Sequence, residues 1–239
     1  MRPGQHDRGA PEARGGLRVQ RFARGVQRDH EGPEGVSFLF LAAALSLTQA
    51  QDTPALLAQA GSPKTAVRRE ALKVLASEYQ KRGLGQEALP VLKKALSDKD
   101  RYAREHAAAA LGGIASLVYI ASHSAAGTAY GRKVETDFQK EPGLDAALMR
   151  ALADRQPEVR RHAAVALGFA YPPRADIEEA FLARWKVEKA APVRGDILLA
   201  LGKARYASPR VRTLLEKALK DRDPKIRRRA EEALRLIKG

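Results

Sequence analysis

Between residues 54 and 239 the apolar positions are organised around one recurring pattern. A branched or small apolar residue is followed by Arg, then by Ala or Ile three residues after that Arg, then by Leu four residues further on. Five copies align: Val67-Arg68 with Ala71 and Leu75, Ala103-Arg104 with Ala107 and Leu111, Val159-Arg160 with Ala163 and Leu167, Val193-Arg194 with Ile197 and Leu201, and Ile226-Arg227 with Ala230 and Leu234. Successive copies begin 36, 56, 34 and 33 residues apart. Apolar residues at i, i+4 and i+8 lie on one stripe of a helix, so each copy marks a helix, termed B, with a single buried face.

A shorter apolar stretch precedes the later copies and predicts a partner helix A: Leu89, Leu92 and Leu96; Leu144, Leu148 and Leu152; Phe181, Leu182 and Trp185; Leu214, Leu215 and Leu219. Thr53-Pro54, Ser208-Pro209 and Asp223-Pro224 read as an N-cap followed by a proline at the first helical position, and Pro142, Pro157 and Pro192 also fall at predicted helix starts. The resulting architecture is all-α, a right-handed α-solenoid of about five helical hairpins. One hairpin cannot bury both faces of its helices, so stability must come from stacking of neighbours. Gly112, Gly168 and Gly202 share one position of the pattern, where a missing side chain lets adjacent helices come close. The last unit is polar on its outer side, through Arg228, Arg229, Glu231, Glu232, Arg235 and Lys238, as suits a terminal repeat.

Composition supports the helical reading and narrows the chemistry. Aromatic residues make up only 5% of the chain and cysteine is absent, which excludes disulfides, thiolate metal sites and thiol nucleophiles. The formal net charge is +15. Residues 1–35 hold seven Arg against two Asp and three Glu, so residues 51–239 retain 36 Lys and Arg against 23 Asp and Glu, or +13. Such a surface attracts nucleic acid, acidic lipid headgroups, polyanionic wall polymers or an acidic protein, and the charge alone does not choose among them.

The first fifty residues stand apart. Residues 1–35 are rich in Gly, Arg and Pro with scattered apolar residues, and read as a disordered leader or a start-site artefact. Residues 36–50 are uncharged and end in small residues before Gln51-Asp52; they read as a signal peptide with its apolar run at 38–47 and cleavage after Ala50. On that reading the protein is exported to the periplasm or beyond, and is otherwise cytoplasmic. The long leader and the acidic residues just before the run depart from the usual signal pattern. The same run could instead form a buried first helix, and it is shorter than the roughly 20 residues that span a bilayer. Residues 51–239 form the repeat domain, with an insertion at about 112–143.

The fullest units, Leu152-Ala-Asp154-Arg-Gln-Pro157-Glu-Val159-Arg160 and Leu219-Lys-Asp221-Arg-Asp-Pro224-Lys-Ile226-Arg227, resemble the short bacterial HEAT repeats also found in phycobilin lyases. The resemblance covers about residues 54–239 and is weakest in the first unit, where Ser62 and Thr65 replace Asp and Pro. It implies a structural ladder in which turn carboxylates and helix-B arginines face each other along the stack. Asp98, Asp154 and Asp221 with Arg68, Arg104, Arg160, Arg194 and Arg227 are the residues placed for it. It also implies that the B helices line the concave face.

On that face two columns of residues point away from the core stripe: Arg69, Glu105, Arg161, Gly195 and Arg228, and beside them Lys73, Ala109, Val165, Leu199 and Glu232. The centre is apolar and the ends are charged. Ala109, Val165, Leu199 and Phe169 are candidates for docking a partner, with Arg69, Arg161 and Lys203 as flanking charges, or else they pack against neighbouring B helices. The long spacing between the second and third units places a surplus in 112–143, whose early part extends helix B and whose later part reads as a loop. Tyr119, His123, Tyr130, Arg132 and Lys133 are its candidates for specificity.

Catalytic motifs are wanting. His106 and His162 share a repeat position, but neither has a second ligand at helical spacing, so no metal and no cofactor is expected. The His-Glu pairs that serve as ligands in HEAT-type diiron hydroxylases occur here only as His30-Glu31. Phosphate-binding glycine motifs, Gly-x-Ser-x-Gly and His-Glu-x-x-His are absent. The expected role is a non-catalytic, monomeric scaffold or adaptor that binds a protein partner, an acidic one included, through its concave helix-B face, with no transmembrane span in the mature chain. A basic HEAT-like nucleic-acid binder and an enzyme accessory of the lyase type are the alternatives. The lone Trp185 and the missing aromatic cluster weigh against the former.

Overall fold

A computed structural model describes residues 52–82, 84–123 and 137–238. They belong to one compact unit, residues 51–239. The leader and the apolar run at 38–47 lie outside the described residues, as do Tyr130, Arg132 and Lys133.

Among the described residues, ten α-helices form five successive hairpins: α1 (Thr53–Ala60) with α2 (Thr65–Arg82), α3 (Leu89–Ala95) with α4 (Arg101–His123), α5 (Leu144–Ala151) with α6 (Pro157–Ala170), α7 (Ala175–Val187) with α8 (Ala191–Lys203), and α9 (Pro209–Ala218) with α10 (Pro224–Lys238). The first helix of each hairpin is the A helix and the second the B helix, which is the longer of the two except in the fourth hairpin, where both have 13 residues. Each B helix packs on the next, α2 on α4, α4 on α6, α6 on α8 and α8 on α10, which makes the stack an all-α solenoid. No strand occurs among the described residues.

The apolar stripe that defines the pattern is the core. Ala71, Leu75, Ala107, Leu111, Ala163, Leu167, Ile197, Leu201 and Ala230 are all buried, together with the A-helix residues Leu92, Leu148, Phe181 and Leu215. Burying a Leu or Ile side chain contributes roughly 1.5–3 kcal/mol. Alanine at the central B-helix position keeps neighbouring helices close. Backbones come close at two of the shared glycines: a Cβ on Gly168 would lie 2.5 Å from the Ala200 Cα, and one on Gly202 would lie 2.6 Å from the Ala233 Cα. Gly112 is less tight, with the His162 carbonyl oxygen at 3.2 Å.

Helix ends follow local chemistry, with shifts from the sequence reading. Ser208 caps α9 by accepting from the Val211 N–H, and Asp223 accepts from the Lys225 N–H at the start of α10. At α1 the cap is Asp52, which accepts from the Ala55 N–H, so Thr53 is already helical. A proline one position later had made Thr53 look like the cap; the chain instead uses the carboxylate before it. Pro142 likewise does not open α5; the helix starts at Leu144 after Gly143, whose φ of 69° lies in the left-handed region that glycine adopts without strain. Helix α8 stops where Arg205 takes φ 57°, with Tyr206 N–H donating to the Leu201 carbonyl and Arg205 N–H to that of Gly202.

The insertion enters and leaves as ordered structure. α4 continues to His123, and residues 137–140 are helical. Phe138 is fully buried edge-on to Tyr171, and Lys93 pairs with the buried Glu141 and donates to the Pro142 carbonyl.

Candidate functional site

The ladder is built one repeat at a time. Arg68 pairs with Asp98 at 2.7 Å, Arg104 with Asp154 at 2.7 Å, Arg160 with Glu188 at 2.7 Å and Arg194 with Asp221 at 2.8 Å. Each arginine therefore reaches forward to the turn of the following unit. Most also fold back on their own turn: the Nη1 atoms of Arg68, Arg104, Arg160 and Arg227 donate to the two carbonyls five and six residues before them. One guanidinium thus ties its own turn and joins it to the next, using its planar fork of donors. Arg194 is the exception to the backward contact; its guanidinium lies 4.3 Å from the Trp185 ring.

Glu188 is the ladder residue that a search for Asp misses. It stands six residues before Arg194, the same offset as Asp98 before Arg104, Asp154 before Arg160 and Asp221 before Arg227, and that offset is the signal that finds it. Its side chain is 1% exposed between Arg160 and Arg184. Burial alone would raise its pKa, but hydrogen bonds from Arg160 and the Ala190 N–H and the charges of Arg160 and Arg184 prevail, and the carboxyl titrates at about 2. The Arg68 hydrogen bond likewise holds Asp98 below the ordinary carboxylate range.

The two columns singled out on the B helices divide into spent charges and unspent apolar surface. Arg69 pairs with Asp100 at 2.6 Å and lies over the Tyr102 ring, and Arg161 pairs with Asp196 at 2.9 Å. Both arginines therefore join neighbouring units. Gly195 is buried against Ile226 and Arg229 rather than open to the groove. Ala109, Val165 and Leu199 are half-buried in the middle units, between the exposed Lys73 at one end and the half-buried Glu232 at the other.

At the C-terminal ends of α4, α6 and α8 an aromatic cluster forms, where the sequence leads one to expect none, because its members lie on different helices. The Tyr119 ring stacks on His123 at 4.1 Å and meets Phe169 at 5.0 Å, and the Lys203 ammonium sits 4.4 Å from the Tyr119 centroid. Residues singled out separately in the sequence, two in the groove and two in the insertion, thus form one assembly. Ile120, 62% exposed, stands beside it.

Two histidines sit at the equivalent B-helix position. Burial lowers the pKa of both His106 and His162. Among the described residues no group of three or more His, Asp or Glu is arranged to hold a metal ion, and no helix is long and apolar enough to cross a membrane.

A family model for HEAT repeats matches residues 53–122 and 144–235, with the gap falling on the insertion. The chain belongs to the HEAT repeat family. Comparison with curated proteins finds no match. Among solved structures it is similar to a designed armadillo repeat protein in complex with the peptide (KR)4, at 19% identity and a TM-score of 0.55, covering 87% of each chain. An engineered protein at 17% identity aligns over 79% of this chain and 99% of its own, with a TM-score of 0.43.

Proposed function

We propose that the protein is a non-catalytic scaffold that holds a segment of a protein partner along its concave helix-B face. One observation carries this reading: in the central units the groove positions are apolar and incompletely buried, at Ala109, Val165 and Leu199, and they run into the cluster of Phe169, Tyr119, His123 and Lys203. A half-exposed apolar row ending in aromatics is the composition expected of an interface centre, with charge at its margins. Lys203 gives the partner's acidic side chains a place to pair. The similar designed armadillo protein binds a peptide, which agrees with this use of such a stack.

The test places a photocrosslinking residue at Leu199, and as control at the exposed Glu179 of α7, in the protein expressed in its native cell. A discrete protein adduct from position 199 and none from 179 is expected, and Val165→Asp should abolish it with helix content unchanged. Equal labelling from both positions, or an adduct indifferent to Val165→Asp, overturns the reading. We also propose export, on the apolar run and small residues of 36–50.

A further inference from the structure

The residue directly after each ladder acid is a cation: Lys99, Arg155, Lys189 and Arg222. In the turns 96–100, 152–156, 188–190 and 219–223 every cation is exposed and no carboxylate is. The ladder is the reason. Asp98, Asp154, Glu188 and Asp221 are each drawn inward to an arginine of the preceding unit, at 2.7, 2.7, 2.7 and 2.8 Å, so their charge is cancelled beneath the surface. The backbone of the same turns is held from below, with Lys99, Arg155 and Arg222 giving their carbonyls to Arg104, Arg160 and Arg227. Their side chains are left outside, and no described residue forms an ion pair with them.

Adjacent B helices stack roughly 8–10 Å apart, so four units set these cations in a line on the order of 30 Å long. Lys186 and Lys220 add to it, and Val187, 63% exposed, stands between Lys186 and the Glu188-Lys189 turn. The shape of the anion that suits this line follows from geometry. A duplex turns once in about 34 Å, so over this length each strand passes the turn edge about once, and cations spaced one repeat apart meet few of its phosphates. The turns themselves hold no aromatic residue on which bases could stack, and the exposed Tyr102 just after the turn 96–100 already has Arg69 and Arg101 over its ring. A plane of phosphate headgroups instead offers an anion to every cation at once, and an exposed valine among lysines is an apolar side chain placed to enter the headgroup boundary.

We propose that the turn edge of the solenoid lies on an anionic membrane surface, with the turn cations pairing to lipid phosphates and Val187 entering the interface. This edge is distinct from the concave groove, so a bound partner is carried at the membrane.

The experiment is sedimentation of the full chain with vesicles of phosphatidylcholine containing about 30% phosphatidylglycerol, against vesicles of phosphatidylcholine alone. At roughly a fivefold effect per cation, the variant Lys99→Gln, Arg155→Gln, Lys189→Gln, Arg222→Gln should lose on the order of several hundred-fold in partition to the anionic vesicles. Val187→Asp should lose several-fold, and salt above the physiological range should weaken wild-type binding steeply. Circular dichroism and the thermal midpoint of both variants should match wild type, since none of these side chains is buried. Wild type that fails to bind anionic vesicles overturns the proposal. So does equal binding to neutral vesicles, or a fourfold variant that binds as wild type, because the apolar run at 38–47 would then be responsible. Loss of duplex DNA binding in the fourfold variant with vesicle binding intact would assign the edge to nucleic acid instead.

Discussion

Replacing Glu188 by Gln keeps the shape of the side chain and removes the charge that Arg160 and Arg184 share. The carboxyl titrates at about 2 in the fold against 4.5 ordinarily, and that difference corresponds to about 3 kcal/mol of stability at neutral pH. An independent estimate agrees: removing one member of a buried ion pair costs roughly 3–5 kcal/mol, because the remaining charge is left without compensation, and the Arg160 side chain is only 10% exposed. The sign with pH follows from the depressed carboxyl. Wild type holds the contribution above about pH 4.5 and loses it as the pH falls toward 2, whereas Glu188→Gln never has it. Urea denaturation followed by circular dichroism should therefore show the variant about 3 kcal/mol less stable at pH 7, with the gap closing toward pH 2. Hydrogen exchange should localise the loss to the α6–α8 contact, since a stack of repeats can open at one joint. The same change at Glu179, whose partner Arg210 is exposed, should leave the denaturation midpoint in place. A Glu188→Gln variant within about 0.5 kcal/mol of wild type at pH 7, or a gap independent of pH, refutes the reasoning.

Two further outcomes are expected. Gly168→Ala drives a methyl group against the Ala200 backbone and should destabilise by about 1–3 kcal/mol in thermal or urea unfolding, whereas Gly112→Ala, facing a carbonyl at 3.2 Å, should cost less. N-terminal sequencing of the protein from its native cell should give a mature start at Gln51; a cytosolic protein that retains residues 1–50 would rule out export.

The solenoid was legible because a helix with one buried stripe must repeat its apolar residues at i, i+4 and i+8, and the helices centred on Ala71, Ala107, Ala163, Ile197 and Ala230 all do so. The close approach at Gly168 and Gly202 was legible for a related reason, since glycine within a helix costs stability unless something fills its space. Contacts between units were harder to read. Glu188 escaped a search for Asp although its offset from Arg194 is regular. Arg161 looked free because Asp196, its partner, lies on the next B helix and no rule of spacing within one helix brings them together. The cluster of Tyr119, His123, Phe169 and Lys203 depends on α4 running on to His123, so that residues remote in sequence end at the same level. Helix boundaries moved by a residue or two where Asp52 and Gly143, rather than the neighbouring prolines, set the start.

The forward reach of each ladder arginine gives the stack a direction. Arg68, Arg104, Arg160 and Arg194 all address the turn that follows, and Arg227 makes only the backward half of the contact, to its own turn. From the second unit to the fifth, donor and acceptor sit at the same offsets, so the joint between two repeats is written in a form that any of these neighbours can read. Excising the fourth unit would bring Asp221 to the place where Arg160 now finds Glu188, and the same bond would close across the splice. A molecule joined in this way lengthens or shortens by whole modules without redesign of its seams.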